Sequence, residues 1–353
     1  MREGFTTGSC AAAAALASCI WRRDGECPAR VELVVPEGRV FSAAILPRGQ
    51  YECGVIKDAG DDPDVTDGCE VRARVDISRM DGDVSFAAGE GVGMITRPGL
   101  KLPMGEAAIN PVPRDMIARA VRSVYAHEAA CVTVSIPGGA DLSARTFNPR
   151  LGIVGGLSVL GTSGIVRPMS EEALTESIAL EMSMHRARGA EKLALTFGEQ
   201  GERLLKARFA NLPTAQMSNF VGFALDKAAE LGFERVLISG HPGKIGKVAA
   251  GVMQTHSRYG DARREAIMAH LALLGAPAEL AREVRACATT DAAMALIARA
   301  GYEHVWDMMA DSVQEYCEAR THGHPSVDAL IMDGAGRVLG ASARLREDEG
   351  IWQ

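Results

Sequence analysis

Short apolar runs fill the first part of the chain, with one helical pattern among them. The predicted strands lie at 31–35, 40–46, 53–57, 69–77 and 131–136. The helical pattern lies near 113–126, between the last two of these runs. Runs of strands that share a helix are typical of an α+β layer. We therefore predict an α+β N-terminal domain over residues 1–149.

The rhythm changes after residue 150, where apolar runs alternate with helical patterns. The predicted strands lie at 192–197, 235–239, 327–332 and 338–343, the last as a closing edge. The helical patterns lie near 170–188, 216–231 and 244–256, and residues 262–320 also favour helices. Alternation of this kind predicts a mainly parallel sheet wrapped by helices. We predict a Rossmann-like α/β domain over residues 150–353, with 262–320 as its helical segment.

An alanine-rich run at 11–17, preceded by Arg2, imitates a secretory signal. The run is too poor in Leu, Ile and Val for that role. Thr7 or Ser9 could instead cap a helix of alanines, and the Arg22-Arg23 pair suits the C-terminal end of its dipole. No later apolar stretch reaches membrane-spanning length. We therefore expect an intact cytoplasmic protein with no membrane partner.

Composition and charge narrow the range of functions. The chain has 353 residues with 47% apolar content, which is enough for a large core in two domains. The formal net charge is −7 and no Lys/Arg run exceeds two residues, so we expect no nucleic-acid partner. The eight cysteines are scattered without a Cys-x-x-Cys pair, which favours reduced thiols over disulfides or a zinc site.

The loop at 58–68 concentrates negative charge. Its aspartates are Asp58, Asp61, Asp62, Asp64 and Asp67, and Gly60, Pro63 and Gly68 fix its backbone path. Like charges held this close repel each other, and such a cost is typical of a functional site. The alternative is a solvated acidic turn after a strand. A calcium loop fits poorly because Gly68 falls one position late and the bidentate Glu is missing, so we expect no protein-held metal.

A glycine-rich segment at 152–164 could approach a ligand closely. Gly155, Gly156 and Gly161 would let the backbone pass near an adenosine or a carboxylate. The spacing is neither Gly-x-Gly-x-x-Gly nor the usual methyltransferase glycine motif. The alternative for this segment is a tight glycine turn between the domains.

A second such segment, Gly240-His241-Pro242-Gly243-Lys244, follows a predicted strand and leads into a predicted helix. Its amide groups could face an anion at the carboxyl end of a sheet. The phosphate-loop pattern is not met, because two residues separate Gly240 from Gly243 and Ile245 follows Lys244. A helix-entry turn with a solvated Lys is the alternative.

Several stretches, taken in order, resemble one family. They are Gly4-Phe5-Thr6-Thr7-Gly8-Ser9-Cys10, the acidic loop, 105–114, 148–171, 218–222, 240–244 and 255–263. In this order the chain resembles the cobalt-precorrin-5B C1-methyltransferase family of corrin-ring biosynthesis. The resemblance runs from about Gly4 to about Arg263, with a weaker tail. Two positions depart from the family pattern: Glu199 stands where Asn is usual, and Asp67 where His or Asn is usual.

The resemblance implies an enzyme that transfers a methyl group from S-adenosylmethionine to C1 of cobalt-precorrin-5B, in the anaerobic-type pathway to cobalamin. Cobalt would then belong to the substrate. A corrin precursor carries many carboxylates, so its enzyme needs cationic side chains around a broad cleft. The candidates for binding this substrate are Arg114, Arg150, Arg167, His241, Lys244, His256 and Arg263.

The donor and catalytic candidates come from the glycine segment and the acidic loop. For the donor they are Gly155, Gly156, Gly161 and Thr162. For catalysis they are Asp58, Asp61, Asp62, Asp64 and Thr66. The carboxylates could hold the donor's ammonium and ribose, or one could accept a proton as the ring's electrons readjust. Positioning dominates such a reaction, because in-line displacement removes the donor's positive charge.

Two other functions stay open on the sequence alone. One is a non-catalytic carrier of a tetrapyrrole intermediate, and the other is a nucleotide-dependent enzyme that uses the 240–244 turn. Beyond its small-molecule substrate, the protein could form a homo-oligomer or make transient contact with neighbouring pathway enzymes. Only the methyltransferase needs to bind both S-adenosylmethionine and its demethylated product.

Overall fold

The chain forms two compact units in a computed structural model that describes residues 1–168 and 170–353. The units are Met1–Leu174 and Thr175–Gln353. Each has its own buried apolar core. Among the described residues, no helix combines the length and apolar character needed to cross a membrane.

Short strands and two longer helices build the first unit. Its strands are β1 (Gly4–Phe5), β2 (Arg30–Val34), β3 (Val40–Ala44), β4 (Leu46–Gly49), β5 (Glu52–Ile56), β6 (Glu70–Asp81), β7 (Val84–Ala88), β8 (Met94–Ile95), β9 (Glu128–Ser135), β10 (Ile153–Val154) and β11 (Ile165–Val166). Its helices are α1 (Thr7–Asp24), α2 (Pro111–Arg122) and α3 (Gly139–Ser143). The strands and the α2 helix predicted for this region are thereby confirmed, with ends shifted by a few residues.

A five-stranded sheet in the order β4-β5-β6-β9-β7 underlies this unit. Its pairs are antiparallel except that β7 runs parallel to β9. Helix α1 packs on β6 and on α2. Its alanines from Ala11 to Ala15 are fully buried. Because these side chains are small, the helix axis can approach both neighbours closely.

The start of α1 differs from the prediction. The N-cap is Thr6, whose side chain accepts a hydrogen bond from the Ser9 amide at 3.2 Å. Thr7 Oγ1 accepts instead from the Leu160 amide at 2.9 Å, and Ser9 Oγ donates to the Gly164 carbonyl at 2.6 Å. The hydroxyls predicted to cap the helix therefore anchor the glycine-rich segment.

Strands and helices alternate in the second unit. Its strands are β12 (Lys192–Thr196), β13 (Thr214–Gln216), β14 (Arg235–Gly240), β15 (Ser326–Met332) and β16 (Val338–Ala341). Helix α4 (Glu171–Ala187) begins just before the unit boundary. The other helices are α5 (Glu199–Arg208), α6 (Val221–Glu230), α7 (Pro242–Val248), α8 (Arg263–Leu273), α9 (Ala278–Ala286), α10 (Thr290–Ala300), α11 (Val305–Arg320) and α12 (Ala343–Glu347), followed by a 3₁₀ turn at Glu349–Trp352.

The sheet of the second unit has the order β13-β12-β14-β15-β16. The first four strands are parallel, and β16 forms the closing edge, as the sequence predicts; its pairing with β15 is antiparallel. Apolar residues cover both faces. Leu193 and Val236 belong to one core cluster, with side chains of α6 and α11, while Leu237 belongs to the other, with α5 and the C-terminal turn. The predicted helical segment is resolved into α8 to α11.

The sequence patterns missed several elements, among them β7, α5 and β13. Helix α5 has a sparse apolar face, and β13 is only three residues long. The boundary between the compact units, after Leu174, also lies later than the predicted 149/150. The reason is that β10 pairs with β8 and β11 pairs with β1, which attaches the glycine-rich segment to the first unit.

Candidate active site

The motifs predicted in the first unit meet at the start of α1. The Phe5 amide donates to the Asp58 carbonyl at 2.9 Å, which joins β1 to the acidic loop. The Gly8 amide donates to the Leu160 carbonyl at 2.9 Å, which joins α1 to the glycine-rich segment. The 105–114 stretch attaches to that same segment through backbone hydrogen bonds. Stretches far apart in sequence thus share one neighbourhood.

A buried ammonium organises the acidic loop. Lys57 is 2% exposed, and its Nζ donates to Asp64 Oδ2 at 2.7 Å. Asp64 Oδ1 accepts from the amide and the hydroxyl of Thr66, each at 2.7 Å. Burial by itself would raise the pKa of Asp64, but Lys57 and the hydrogen bonds from Thr66 outweigh it and hold that pKa below its ordinary value. Asp64 is therefore a structural anion whose partner is Lys57.

Other carboxylates of the loop also have partners. A hydrogen bond from the Arg2 guanidinium holds the pKa of Asp58 below its ordinary value. Asp61 Oδ2 accepts from the Arg2 amide at 2.6 Å, and Asp67 Oδ1 accepts from the Ala59 amide at 2.8 Å. The repulsion expected from the sequence is therefore compensated by cations and amides.

The sequence patterns did not identify Lys57 as part of the site, although its position in the chain indicates that it is buried. Cys53 and Val55 point inward on β5, and Lys57 continues the same alternation two residues later. A lysine in the inward register of a strand needs a buried partner. The aspartates that follow it supply that partner.

The glycine-rich segment is packed against protein atoms at two of its proposed donor-binding positions. A Cβ on Gly156 would lie 2.2 Å from the Gly91 carbonyl oxygen, and one on Gly161 would lie 2.3 Å from Thr6 Oγ1. Gly156 is buried. The buried Asn148 side chain also donates to the Gly156 carbonyl at 3.2 Å. These two glycines are explained by packing, whereas Gly155 and Thr162 are exposed.

Two arginines proposed for the substrate hold the first unit together. Arg114 donates to the carbonyls of Ile109 and Ala107, at 2.8 and 3.0 Å, and pairs with Glu106. Arg167 pairs with Glu3 and Glu37 across β1 and the β2–β3 turn. Arg150 is half-buried and also takes part in a polar interaction.

The motifs of the second unit meet beyond the carboxyl end of β14. Lys244 Nζ and Thr255 Oγ1 both donate to Asn219 Oδ1, the latter at 3.1 Å. Burial, aided by the charge of nearby Lys247, lowers the pKa of Lys244. Ser218, next to Asn219, has a positive φ of 51°, a conformation that costs energy for a non-glycine residue. Backbone strain beside a convergent polar cluster is typical of a functional site.

The remaining cationic candidates of this unit also have protein partners. His241 caps α7 by accepting from the Gly243 amide at 3.1 Å, and its Nε2 contacts Asp291 at 3.1 Å. Arg263 pairs with Asp261 at 3.0 Å. His256 is exposed, and its Nδ1 accepts from the Arg258 amide at 3.2 Å.

A cleft of about 330 Å³ opens where β12, β14 and β15 end. It is lined by Phe197, Gly198, Glu199, Gln200, Gly201, Leu204, Gly240, His241, Lys244, Met332, Asp333 and Gly334. The sequence predicted a ligand site on the 240–244 side of this cleft, whereas on the 197–204 side it marked only Glu199, as a departure from the family pattern. Within the described part of the chain, no three His, Cys, Asp or Glu side chains are grouped so as to hold a metal ion.

Comparison with known proteins identifies the chain's relatives. The family model CbiD matches residues 1–168, and the model for the CbiD C-terminal domain matches residues 254–343. The chain is 41% identical over 347 residues to cobalt-precorrin-5B C(1)-methyltransferase of Alkaliphilus metalliredigens, covering 96% of this chain and 92% of that protein. It is 40% identical over 361 residues to the enzyme of the same name from Moorella thermoacetica, covering 100% and 98%.

One solved structure, a cobalamin biosynthesis protein (CbiD) from Archaeoglobus fulgidus, matches at 24% identity with a TM-score of 0.39, covering 71% of this chain and 80% of that one. The two near full-length relatives, at 40% and 41% identity, define the class of the protein: it is a methyltransferase. More particularly, the chain belongs to the CbiD family.

Proposed function

We propose that the protein methylates C1 of cobalt-precorrin-5B in cobalamin biosynthesis, with S-adenosylmethionine as the methyl donor. The observation that carries the proposal is about 40% identity to methyltransferases of that name over nearly the whole length of both chains. We further propose that any cobalt is held by the substrate's macrocycle, and that the enzyme works in the cytoplasm.

The reaction sets clear demands on the protein. A nucleophilic ring carbon attacks the donor's methyl carbon and displaces the thioether of S-adenosylhomocysteine. The sulfonium charge disappears because sulfur keeps the electron pair of the broken carbon–sulfur bond. Holding donor and acceptor in line supplies much of the rate enhancement. Carboxylates near the sulfonium favour donor binding, while unpaired cations beside it would oppose it.

We propose a division of the acidic loop between support and chemistry. Asp58, Asp64, Thr66 and Asp67 make the hydrogen bonds that shape the loop. Asp61 also accepts from the Arg2 amide, and Asp62 also takes part in an interaction. We keep these two carboxylates as the candidates for accepting a proton or holding a cationic group of the ligands. We propose that Arg150, His256 and Arg263 bind carboxylates of the substrate. Arg114 and Arg167 bind carbonyls or two glutamates of the first unit, and His241 and Lys244 line the cleft of the second unit.

The second unit is, in this proposal, a Rossmann-like nucleoside-binding domain. Its parallel strands follow the spatial order 2-1-3-4, which is also found in flavodoxin-like doubly wound sheets. Helices on both faces support the same assignment. Association with a second copy or with neighbouring pathway enzymes stays a prediction.

Transfer of isotope tests the function directly. The purified protein is incubated with cobalt-precorrin-5B and S-adenosylmethionine labelled in its methyl group, and the macrocycle is analysed by mass spectrometry and NMR. We expect one labelled methyl group at C1 and stoichiometric S-adenosylhomocysteine. A protein that binds the macrocycle without transferring label would be a carrier, and the proposal would be wrong.

A further inference from the structure

We infer that the methyl donor binds in the cleft at the carboxyl ends of β12, β14 and β15, against the glycines that open α5, and not along the 152–164 segment. The inference rests on the proposed function for the identity of the donor. Its structural basis is independent of the macrocycle that is methylated. The ligand class is a nucleoside that carries a cationic sulfonium amino acid.

Topology singles out this edge of the sheet. The chain leaves β12 toward β13 on one side, and it later enters β14 on the other side of β12. The connections from β12 and β14 therefore diverge, which opens a crevice between the carboxyl ends of these two strands. Open α/β sheets bind ligands at such a switch point. The cleft includes Phe197 and Gly198 after β12 and Gly240 and His241 at the end of β14.

Three of the four glycines that line the cleft are not required by packing within the protein. A Cβ on Gly198 or Gly334 would meet no atom within 4 Å, and one on Gly201 would make only an ordinary 3.8 Å contact with Thr196. None of the three has a positive φ in the range that favours glycine. Gly201 also weakens the first turns of α5, where alanine would be more stable. Glycine at such positions is typical of a backbone that a ligand approaches closely.

The glycines of the 152–164 segment show the opposite pattern. The space beside Gly156 and Gly161 is occupied by Gly91 and Thr6. Gly155 has open space, but its φ of +87° by itself accounts for a glycine. The absence of a side chain in that segment is therefore required by the fold and leaves no need for a ligand.

Size and charge indicate which ligand the cleft accepts. Its volume, about 330 Å³, lies at the lower end for small-molecule pockets, so a nucleoside fits and a corrin with its carboxylate arms does not. Glu199 and Asp333 bring two carboxylates to its lining, and Asp333 pairs with Arg337. Among the cationic groups, Lys244 donates to the neutral amide oxygen of Asn219, and His241 contacts Asp291. Glu199, an exposed carboxylate at the start of α5, favours a sulfonium or an ammonium over a triphosphate.

Two buried hydroxyls beneath the cleft also support a ligand site there. Thr196 and Ser239 are fully buried and paired in register at the ends of β12 and β14, and each directly precedes a residue of the cleft lining. Neither hydroxyl has a hydrogen-bond partner within the described residues. A buried unsatisfied hydroxyl destabilises a fold, and such groups are typical of sites where a ligand or its ordered water completes the network.

Calorimetric titration of the full-length protein with S-adenosylhomocysteine tests the inference. Gly198→Val and Gly334→Val should fill the cleft and weaken binding at least tenfold, because both positions tolerate a Cβ in the ligand-free fold. The matched control is Gly49→Val, a glycine outside the cleft lining, without positive φ, whose Cβ would meet only Glu52 at 3.5 Å. Thr162→Val tests the 152–164 segment as an alternative donor site. Gly49→Val and Thr162→Val should both bind S-adenosylhomocysteine as the wild type does.

A charge variant supplies a test that does not depend on filling space. Glu199 is exposed, so Glu199→Gln should leave the melting temperature unchanged. It should weaken S-adenosylmethionine several-fold more than S-adenosylhomocysteine, because only the former carries a sulfonium charge. Equal effects on both ligands would argue against Glu199 facing the sulfur.

The outcomes separate the two proposals. If the wild type binds the probe and the cleft variants do not, but no label reaches cobalt-precorrin-5B, the donor site stands and the proposed substrate is wrong. If label is transferred and the cleft variants bind normally while Thr162→Val does not, the donor site lies in the 152–164 segment and the inference is overturned. Displacement of the probe by ATP at similar concentration would also overturn the ligand class.

Discussion

At the scale of single residues, the first unit depends on one buried ion pair. Lys57 directly follows β5 and continues the inward register of that strand, and its ammonium is almost fully removed from solvent. The desolvation of such a charge is compensated only while its partner stays ionised and hydrogen-bonded. Asp64 meets both conditions, with Thr66 fixing its second oxygen. The pair therefore makes the shape of the acidic loop depend on a residue outside it.

Asp64→Asn should destabilise the protein, and by more than the same substitution at an exposed aspartate of the loop. The substitution leaves the Lys57 ammonium buried without a counterion, which typically costs about 3–5 kcal/mol. Urea unfolding monitored by circular dichroism measures the loss. Asp61→Asn is the control, because Asp61 is exposed, and it should change the free energy of unfolding by less than about 1 kcal/mol. Equal effects of the two substitutions would show that the ion pair contributes little.

The same pair predicts a dependence of stability on pH. The pKa of Asp64 is lower in the folded chain than in the unfolded chain, where it is about 3.9. Its contribution is therefore complete above that unfolded value and is lost as the pH falls through the lower folded value. We expect the stability difference between wild type and Asp64→Asn to shrink below about pH 4. A difference that stays constant from pH 5 to about pH 2 would contradict the assignment.

At the scale of elements, the glycine-rich segment is held in the first unit by strand pairing and backbone hydrogen bonds. β11 pairs with β1, β10 pairs with β8, and the start of α1 donates hydrogen bonds to the segment between them. Gly156 packs directly against the backbone at Gly91, where a Cβ would have no room. The sequence suggested a ligand-binding turn here, whereas the packing assigns these glycines to the fold.

Gly156→Val should therefore unfold or strongly destabilise the first unit. Backbone atoms at Gly91 cannot yield as a flexible side chain can, so we expect a loss of at least about 3 kcal/mol. Thermal unfolding measures the melting temperatures of Gly156→Val and of a control, Thr162→Val. Thr162 is an exposed residue of the same segment, so its variant should melt like the wild type. A Gly156→Val protein with normal melting but no donor binding would restore the segment as the donor pocket.

At the scale of the whole molecule, the two units carry different kinds of chemistry. The first unit gathers the acidic loop and the start of α1, and the second presents an α/β cleft sized for a nucleoside. Each grouping involves residues from within its own unit. Ligands that bind one grouping should therefore leave a local signature in that unit.

Hydrogen–deuterium exchange can map this signature on the intact chain. S-adenosylhomocysteine at a hundred times its Kd should slow exchange at amides near 198–204 and 240–244, because binding at that concentration stabilises the bound form by about 2.7 kcal/mol. Amides of β5 and β6 should exchange as before. Gly198→Val at the same concentration should show clearly less slowing, because a tenfold weaker Kd lowers that stabilisation to about 1.4 kcal/mol. Protection confined to 152–164 would refute the donor site in the cleft.

Much of the fold could be predicted because local periodicity reports it. Short apolar runs located β2, β3, β5 and β6. The strand–helix rhythm after residue 150 predicted a mainly parallel sheet, which contains β12, β14 and β15, with β16 as its closing edge strand. Short or sparsely apolar elements such as β13 and α5 give too weak a period for recognition. The unit boundary was misplaced because pairing of β11 with β1 is a long-range event without a local signal.

The ordered motifs by themselves determined the family, because side-chain identity at many spaced positions is written directly in the sequence. They also located the 240–244 edge of the cleft. Only the tertiary structure decided the use of each group. In the structure, Lys57 pairs with Asp64, Gly91 fills the space beside Gly156, and the space beside Gly198 is open. The physical reason is that desolvation, pairing and steric room depend on neighbours distant in sequence, and folding alone brings those neighbours together.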